Sequence, residues 1–410
     1  MITIIGAGIV GLVLANALAG EQFAITLVDN KLPELTWPDN HLDPKVSAIN
    51  MASWQILKNL KVWESINPSA IAPLRELQVW DKLGGGQIHF DCADIGAPQL
   101  GFIIENRALI KALWEKLAAF ENVSILCPRH PSKLTHIVSE QSPRPIEIQL
   151  DNGATILADL VVGADGGRSW VRDMMGVAIA ERSYEQQALI FVAHSALEHR
   201  DTGWQSFLST GPLGVLPLND RFATAIVWSN TLPAAKRLLE MSSTDFNQEL
   251  TTALDHRLGS MVCVSPLQAI PLVMRHAMVY VQPRLALIGD AAHTIHPLAG
   301  QGVNLGLLDA AVLAQVIADA RNKQQDIGSL RVLTRYQRWR KAGNSIMLAA
   351  MRGFKDLFSR EENWLIRCRS LGLDFTDHSH FLKKLFMDYA MGRQGDLPPL
   401  ANHLAPDIDH

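Results

Sequence analysis

Residues 2–11 read Ile-Thr-Ile-Ile-Gly-Ala-Gly-Ile-Val-Gly. An apolar run of β-branched residues is a buried strand, and it enters a G-x-G-x-x-G turn that opens a helix expected to run to about Ala19. Gly6 permits a tight turn, Gly8 lets the backbone approach a pyrophosphate, and Gly11 lets the helix pack closely on the strand. The pyrophosphate then rests on the helix N-terminus, where free N–H groups and the dipole favour negative charge. A second strand follows at Ala24–Val28 and ends at Asp29, 18 residues beyond Gly11. That is close to the spacing at which a carboxylate hydrogen-bonds a ribose and disfavours a 2′-phosphate. The dinucleotide expected here is therefore FAD or NAD rather than NADP.

Two further strand ends carry the same kind of signal. Residues 159–169 read DLVVGADGGRS, placing Asp165 and Gly166 at the end of an apolar run that closes at Arg172. Residues 285–306 read LALIGDAAHTIHPLAGQGVNLG. In this stretch a buried strand delivers Asp290, a turn forms around Pro297, and Gly300-Gln301-Gly302 opens a helix through Val303 and Asn304. A carboxylate followed by a glycine-lined helix N-terminus suits a bound group with hydroxyls and a polarisable, anion-forming ring, which is the description of a flavin. An ordinary strand–loop–helix junction uses the same punctuation, so the stretch gains its meaning from the other two. Lys45, just after a Pro- and Asp-rich loop at 30–44, has two readings: a partner for a phosphate or flavin edge, or a solvated lysine. Arg107, at the start of a helix expected over Asn106–Ala118, is a further candidate for reaching the cofactor. His293 and His296 have two readings, core histidines or neighbours of the ring.

Beyond these motifs, the 410 residues are enough for two or three domains. A net charge of −4 without a Lys/Arg run argues against nucleic acid as a partner. The four cysteines (Cys92, Cys127, Cys263, Cys368) form no Cys-x-x-Cys pair, which speaks for reduced thiols and against a disulfide framework or a metal site. The chain starts directly in a strand pattern, leaving no room for a signal peptide, and has no uninterrupted run of 18 apolar residues, so a cytoplasmic location is expected. Leu74–Phe90 alternates around Gly84-Gly85-Gly86 as a β-hairpin. Between about Gly176 and Arg275 the texture is β-rich, and Trp204, Phe207, Leu216, Pro217 and Trp228 are the large residues expected to line a substrate pocket. Helices are expected over Leu307–Ala320 and Leu333–Met351. A last one, within Leu371–Met391, carries Phe381, Leu382, Leu385, Phe386 and Tyr389 around Lys383 and Lys384. It would dock on its own protein, on a partner or on a membrane surface.

The glycine fingerprint, Gly163-Ala164-Asp165-Gly166 and Gly289-Asp290-Ala291-Ala292-His293 stand in the order found in the single-component flavoprotein aromatic hydroxylases. Val46-Ser47-Ala48-Ile49-Asn50 and the run His296–Gly306 resemble the ubiquinone-biosynthesis branch; Val281-Gln282-Pro283, Thr202–Pro212 and Gly101–Asn106 look most like its members that hydroxylate demethoxyubiquinol, with those acting at other positions of the ring only slightly less similar. Lys45 stands where that family usually has arginine, keeping the charge without the planar fork. Asp29 stands where many members have glutamate.

The resemblance implies an α/β fold: a Rossmann-like FAD-binding domain of the aromatic-hydroxylase type (1–75, 99–175 and 276–345) with an inserted antiparallel-sheet substrate domain (76–98 and 176–275) and a helical C-terminus (346–410). It implies that NAD(P)H docks transiently to reduce FAD, O2 adds to give a C4a-hydroperoxyflavin, and one oxygen passes to the ring of a polyprenylated phenol or quinol. It places Asp290 on the ribityl chain, the Gly300–Asn304 amides at the N1/C2=O edge of the flavin, and Asp165-Gly166 at the cofactor and nicotinamide. No side chain takes the role of general base. Other proteins of ubiquinone synthesis, a peripheral membrane contact and a second copy of the chain are the partners it allows. A related hydroxylase acting on another ring position or phenol remains an alternative, as does a flavin-binding scaffold without turnover. A flavin halogenase is disfavoured because its Trp-x-Trp-x-Ile-Pro string is absent.

Overall fold

The computed structural model describes residues 1–38, 42–136, 145–294, 302–358, 362–393 and 395–402. At its centre is a six-stranded sheet in the order Val281–Gln282, Leu285–Leu287, Leu160–Gly163, Ile2–Ile5, Ile25–Val28, Val123–Leu126. Every neighbour pair is parallel except the first. The strands at 2–5, 25–28 and 160–163 are buried at every position, as apolar runs must be when helices cover both faces of a parallel sheet.

Helix α1 (Ile9–Gly20) follows the first strand, and α2 (Met51–Asn59) and α3 (Asn106–Ala118) flank a small antiparallel sheet of Val46–Asn50, Gly101–Glu105 and Ile71–Leu74. The short α4 (Trp170–Met174) caps the turn after Leu160–Gly163. A separate three-stranded sheet spans Pro131–His136, Ile146–Leu150 and Thr155–Ala158.

The β-rich stretch forms a second large sheet around the 17-residue strand Ile179–Ser195, which pairs with Ala223–Thr231 and Gln268–Ala277. The hairpin Glu76–Asp81/Gln87–Asp91 forms as its alternation predicts. It joins this sheet through a parallel ladder with Thr202–Leu208, so the sheet is mixed rather than purely antiparallel. Two helices also interrupt the expected β texture, α5 (Leu232–Leu239) and α6 (Ser243–Ala253). Their apolar sides cover one face of the sheet, forming a second core with Phe191, Val215, Ile226 and Trp228.

The C-terminal third is helical: α7 (Gly302–Asn322), α8 (Leu330–Phe358), α9 (Asn363–His378) and α10 (His380–Ala390). Among the described residues α7 alone is long and apolar enough to cross a membrane, and it is mostly buried in the central core against α1 and α8.

Candidate functional site

The topology gathers the three sequence signals at one edge. The strands ending at Leu287, Gly163, Ile5 and Val28 are consecutive neighbours in the sheet and parallel. Their C-terminal ends therefore present, in a row, Asp290, Asp165, the Gly6–Gly8 turn and Asp29. In an open parallel sheet this is the edge at which ligands bind.

Each glycine of the fingerprint meets a different constraint. Gly6 sits at φ +109°, and a Cβ there would land on the carbonyl of Ala164 in the neighbouring strand end. A Cβ on Gly11 would strike the carbonyl oxygen of Gly6. Gly8 has an ordinary φ of −72°, and nothing among the described residues lies within 4 Å of a Cβ built on it. Gly8 is the N-cap of α1, and the first intrahelical bond runs from Leu12 N to Gly8 O, so the amides of Gly8 to Gly11 have no intrahelical acceptor. Asp29 closes the turn: one carboxylate oxygen accepts from Ala7 N at 2.6 Å and the other from Lys31 N at 2.9 Å.

Asp165 accepts from Val171 N at 3.1 Å, in the first turn of α4. Its second oxygen, Oδ1, is buried with no partner among the described residues, and burial pushes the carboxyl up. Gly166 beside it is left-handed, at φ +79°. Asp290 is open to solvent yet walled by protein, so that desolvation raises its carboxyl, partly offset by His293 and Arg275. No hydrogen bond to its side chain occurs among the described residues. One half-satisfied carboxyl, Asp165, and one with no hydrogen bond among the described residues, Asp290, form an acceptor set suited to hydroxyl groups. We expect Asp290→Ala to lower FAD affinity about 10- to 100-fold, the loss of one hydrogen bond to a charged group. The melting temperature should stay unchanged, because no hydrogen bond among the described residues is removed; an unaltered FAD titration would mean that Asp290 is structural only.

The recess is closed by α7. Gly306 and Gly289 both pack against Val10 of α1, where a Cβ on Gly306 would lie 2.5 Å from Val10 Cγ2. Asn304 is buried and accepts from Asn50 N at 3.0 Å while donating to the Ala48 carbonyl at 2.7 Å. It thus ties the first turn of α7, with Gly302 and Val303, to the strand Val46–Asn50. Gly300, Gln301, Pro297 and His296 lie outside the described residues.

The remaining expected site residues are placed as follows. Lys45 has an exposed side chain, while its backbone is engaged on both sides: its N–H donates to Asp43 Oδ1 at 2.9 Å and its carbonyl accepts from Asn106 N at 2.9 Å. Arg107 is held by Glu105 at 2.7 Å and lies 4.6 Å over the Trp37 ring. His293 points into the core rather than towards the recess, its Nε2 2.5 Å from Asp309 Oδ2. The five pocket residues divide between the faces of the mixed sheet. Trp228 belongs to the core against α5 and α6, Trp204 packs at its margin, and alternation puts Pro217 on that face too. Leu216 and Phe207 look the other way; Phe207 stacks on Phe358 of α8 at 3.9 Å between ring centroids. The expectation of one pocket lined by all five fails because residues an odd number apart on a strand face opposite sides.

Two residues that hold the site together were given no role from sequence. Buried Arg172 donates to the carbonyls of Ala291 (3.0 Å) and Gly167 (3.0 Å), clamping the Asp290 and Asp165 turns to each other. Fully buried Asp309 accepts from Gly289 N (3.1 Å), His293, Arg340 (2.7 Å) and Asn344 (3.2 Å), fixing the left-handed Gly289 that presents Asp290. An aspartate set among Leu307, Leu308, Ala310 and Ala311 was the available signal, since a buried carboxylate needs partners.

This arrangement defines a flavoprotein. A family model described as "FAD binding domain" matches residues 1–345, and the chain belongs to that family, the FAD-dependent monooxygenases. Within it the chain is 38% identical over 393 residues to the 3-demethoxyubiquinol 3-hydroxylase of Escherichia coli (strain K12), covering 95% of this chain and 98% of the relative. It is 33% identical over 400 residues to the ubiquinone hydroxylase UbiL of Rhodospirillum rubrum (97% and 91% covered). It is 31% identical over 436 residues to the Homo sapiens mitochondrial ubiquinone biosynthesis monooxygenase COQ6 (95% and 92% covered). In fold it is similar to pqsL, a probable FAD-dependent monooxygenase from Pseudomonas aeruginosa, with a TM-score of 0.76 at 20% identity over 91% of this chain and 98% of the other.

Proposed function

We propose that the chain hydroxylates the ring of a polyprenylated quinol or phenol of ubiquinone synthesis, with 3-demethoxyubiquinol as the favoured substrate. The observation that carries this reading is the row of four strand ends with open space at Gly8 before the first turn of α1, which suits a pyrophosphate, together with the free Oδ1 of Asp165 and the carboxyl of Asp290, which suit hydroxyls. The identity to enzymes named for this chemistry supports the substrate class.

In this reading the Gly6–Gly11 turn and α1 hold the pyrophosphate, Asp29 the adenosine ribose, and Asp290 the ribityl chain. Bound FAD supplies the activation of O2 and the transfer of one oxygen, with NAD(P)H as the source of electrons. The protein's part is to orient the ring and keep water out. The N-terminus of α7 lies where its dipole favours negative charge on the ring edge. Leu216 and Phe207, on the sheet face turned away from α5 and α6, are the residues left to line the apolar side of the substrate space. Residues 1–75, 99–175 and 276–345 then form the cofactor domain, 76–98 and 176–275 the substrate domain, and 346–410 a helical extension. The protein acts in the cytoplasm, peripheral to the membrane that holds its substrate.

Quinone profiling in cells lacking the protein tests this directly, because the accumulating intermediate names the missing step. Demethoxyubiquinone should accumulate, and purified protein should oxidise NAD(P)H faster when a demethoxyubiquinol analogue is added. A normal quinone profile together with unstimulated oxidation by FAD-loaded protein would overturn this reading and leave a hydroxylase of another phenol or a scaffold without turnover.

A further inference from the structure

The face of the mixed sheet turned away from α5 and α6 carries one side chain that packing does not account for. Cross-strand pairing sets Val79, Gln205, Gly214, Val227 and Ile190 in one row across five adjacent strands. Direct partners in a ladder share a face, so the row looks the same way as Phe207, two residues beyond Gln205. Val79, Val227 and Ile190 are apolar, and Gly214 has no side chain. Gln205 is the exception: its side chain is half-buried and has no hydrogen bond among the described residues. An amide offers both donors and an acceptor, and in an apolar wall both stay unmade unless water or a ligand supplies the partners.

Packing closes the row at both ends. Val79 lies against Phe207 and Phe358, whose rings stack where α8 ends. Val227 and Ile190 pack with Met274, which also packs against Leu305, Met347 and Leu348. Leu305 belongs to the first turn of α7, the helix that closes the cofactor recess, so the row runs outward from that wall. Between the ends stands Gly214. A Cβ built on it meets only the carbonyl oxygen of Val227, at an ordinary 3.7 Å, among the described residues. A notch therefore opens beside the Gln205 amide. Two strand spacings, roughly 10 Å, separate Gln205 from Val227, which leaves room for a substituted ring.

We propose that Gln205 is a specificity-determining residue whose amide, beside the Gly214 notch, reads neighbouring oxygen substituents on the substrate ring. Its NH2 group donates to an ether oxygen while its carbonyl accepts from the adjacent hydroxyl. A ring with a methoxyl beside a quinol hydroxyl satisfies both. The assignment rests on the quinol-hydroxylase reading above and adds to it the group that tells one substituent pattern from another.

The test gives FAD-loaded protein two short-chain quinols, one with a methoxyl beside a ring hydroxyl and one with methyl in its place. Wild type should favour the methoxyl quinol at least about tenfold in kcat/KM, as the loss of one hydrogen bond to a desolvated amide predicts. Gln205→Leu should bring that ratio close to one by lowering kcat/KM for the methoxyl quinol, while FAD content and melting temperature hold. Gly214→Leu, whose Cβ has room, should weaken binding of both quinols at least about tenfold, read from the shift they cause in the flavin absorbance.

A wild type indifferent to the methoxyl overturns the assignment, and so does a Gln205→Leu variant that keeps the wild-type ratio or loses both quinols equally. Gly214→Leu with unaltered quinol binding overturns it too. These outcomes leave the hydroxylase reading standing, because wild-type turnover is measured in the same assay. Quinols that shift the flavin absorbance in wild type, and less so in Gln205→Leu, yet never stimulate NAD(P)H oxidation sink turnover alone and keep the assignment. Quinols that do neither in wild type remove both.

Discussion

Gly8→Val is expected to yield a folded protein that has lost its FAD. The three glycines of the fingerprint differ in what a side chain would meet, and only Gly8 faces empty space at an ordinary φ. The Cβ of a valine there meets nothing among the described residues, and at the N-cap it removes no side-chain hydrogen bond. Its methyl groups instead fill the gap before the first amides of α1, the position a pyrophosphate must occupy to reach them. The predicted outcome is colourless protein with a far-UV CD spectrum and urea midpoint matching wild-type apoprotein, and FAD affinity lower by at least about 100-fold, roughly 3 kcal/mol. Gly6→Val and Gly11→Val serve as the contrast. Both drive a Cβ into backbone, at Ala164 and at Gly6 respectively, and should lose the fold together with the cofactor. Full FAD occupancy in Gly8→Val would remove the N-terminal turn from the cofactor site.

What the sequence made legible follows from locality. The strand–glycine–helix unit at 2–20 and the strand ends at Asp165 and Asp290 are short, strongly patterned segments whose neighbours in the chain decide their conformation. The topology then had to bring them together, and a parallel sheet does so by aligning the C-terminal ends of its strands. The substrate-facing residues were less legible. Trp204 and Phe207 both looked like pocket residues by size, but they are three apart on one strand and so face opposite sides. The helices α5 and α6 were hidden by the expectation of continuous sheet. Ser242-x-x-Asp245 was the readable signal, since the Ser242 side chain accepts from Asp245 N as an N-cap should. The parallel ladder between Glu76–Asp81 and Thr202–Leu208 joins segments over a hundred residues apart, and no local pattern encodes such a pairing. The role of Asp309 was unreadable for the same reason: its partners come from Gly289, His293, Arg340 and Asn344.

That cluster carries the second large effect. Asp309→Ala leaves Arg340, 9% exposed, and His293, 1% exposed, without their carboxylate in the core beneath the Gly289 turn. Breaking a buried pair by removing one partner strands the other charge and costs about 3–5 kcal/mol, which urea unfolding should register. Asp309→Leu combined with Arg340→Leu removes both charges and should recover much of that stability, since an apolar replacement of a buried pair is often near neutral. It does not restore the acceptor that holds Gly289 N, so FAD affinity should stay low in the double variant while its urea midpoint returns towards wild type. A purely structural role for Asp309 predicts the opposite, with FAD binding recovering as stability does.

The pH dependence has a definite sign. His293 and Arg340 outweigh burial and hold the Asp309 carboxyl down to about 2, below its ordinary 3.8. A carboxyl depressed in the folded state contributes stability that is fully present above the unfolded value and is lost as pH falls from near 4 towards 2. A shift of this size is worth roughly 2 kcal/mol. Asp165, Asp290 and Glu105 are raised by burial and act in the other direction, so the wild-type curve alone does not isolate Asp309. The difference between wild type and the double leucine variant does: the stability advantage of the wild type should shrink between about pH 4 and pH 2, and a difference flat across that window would remove Asp309 as the group responsible.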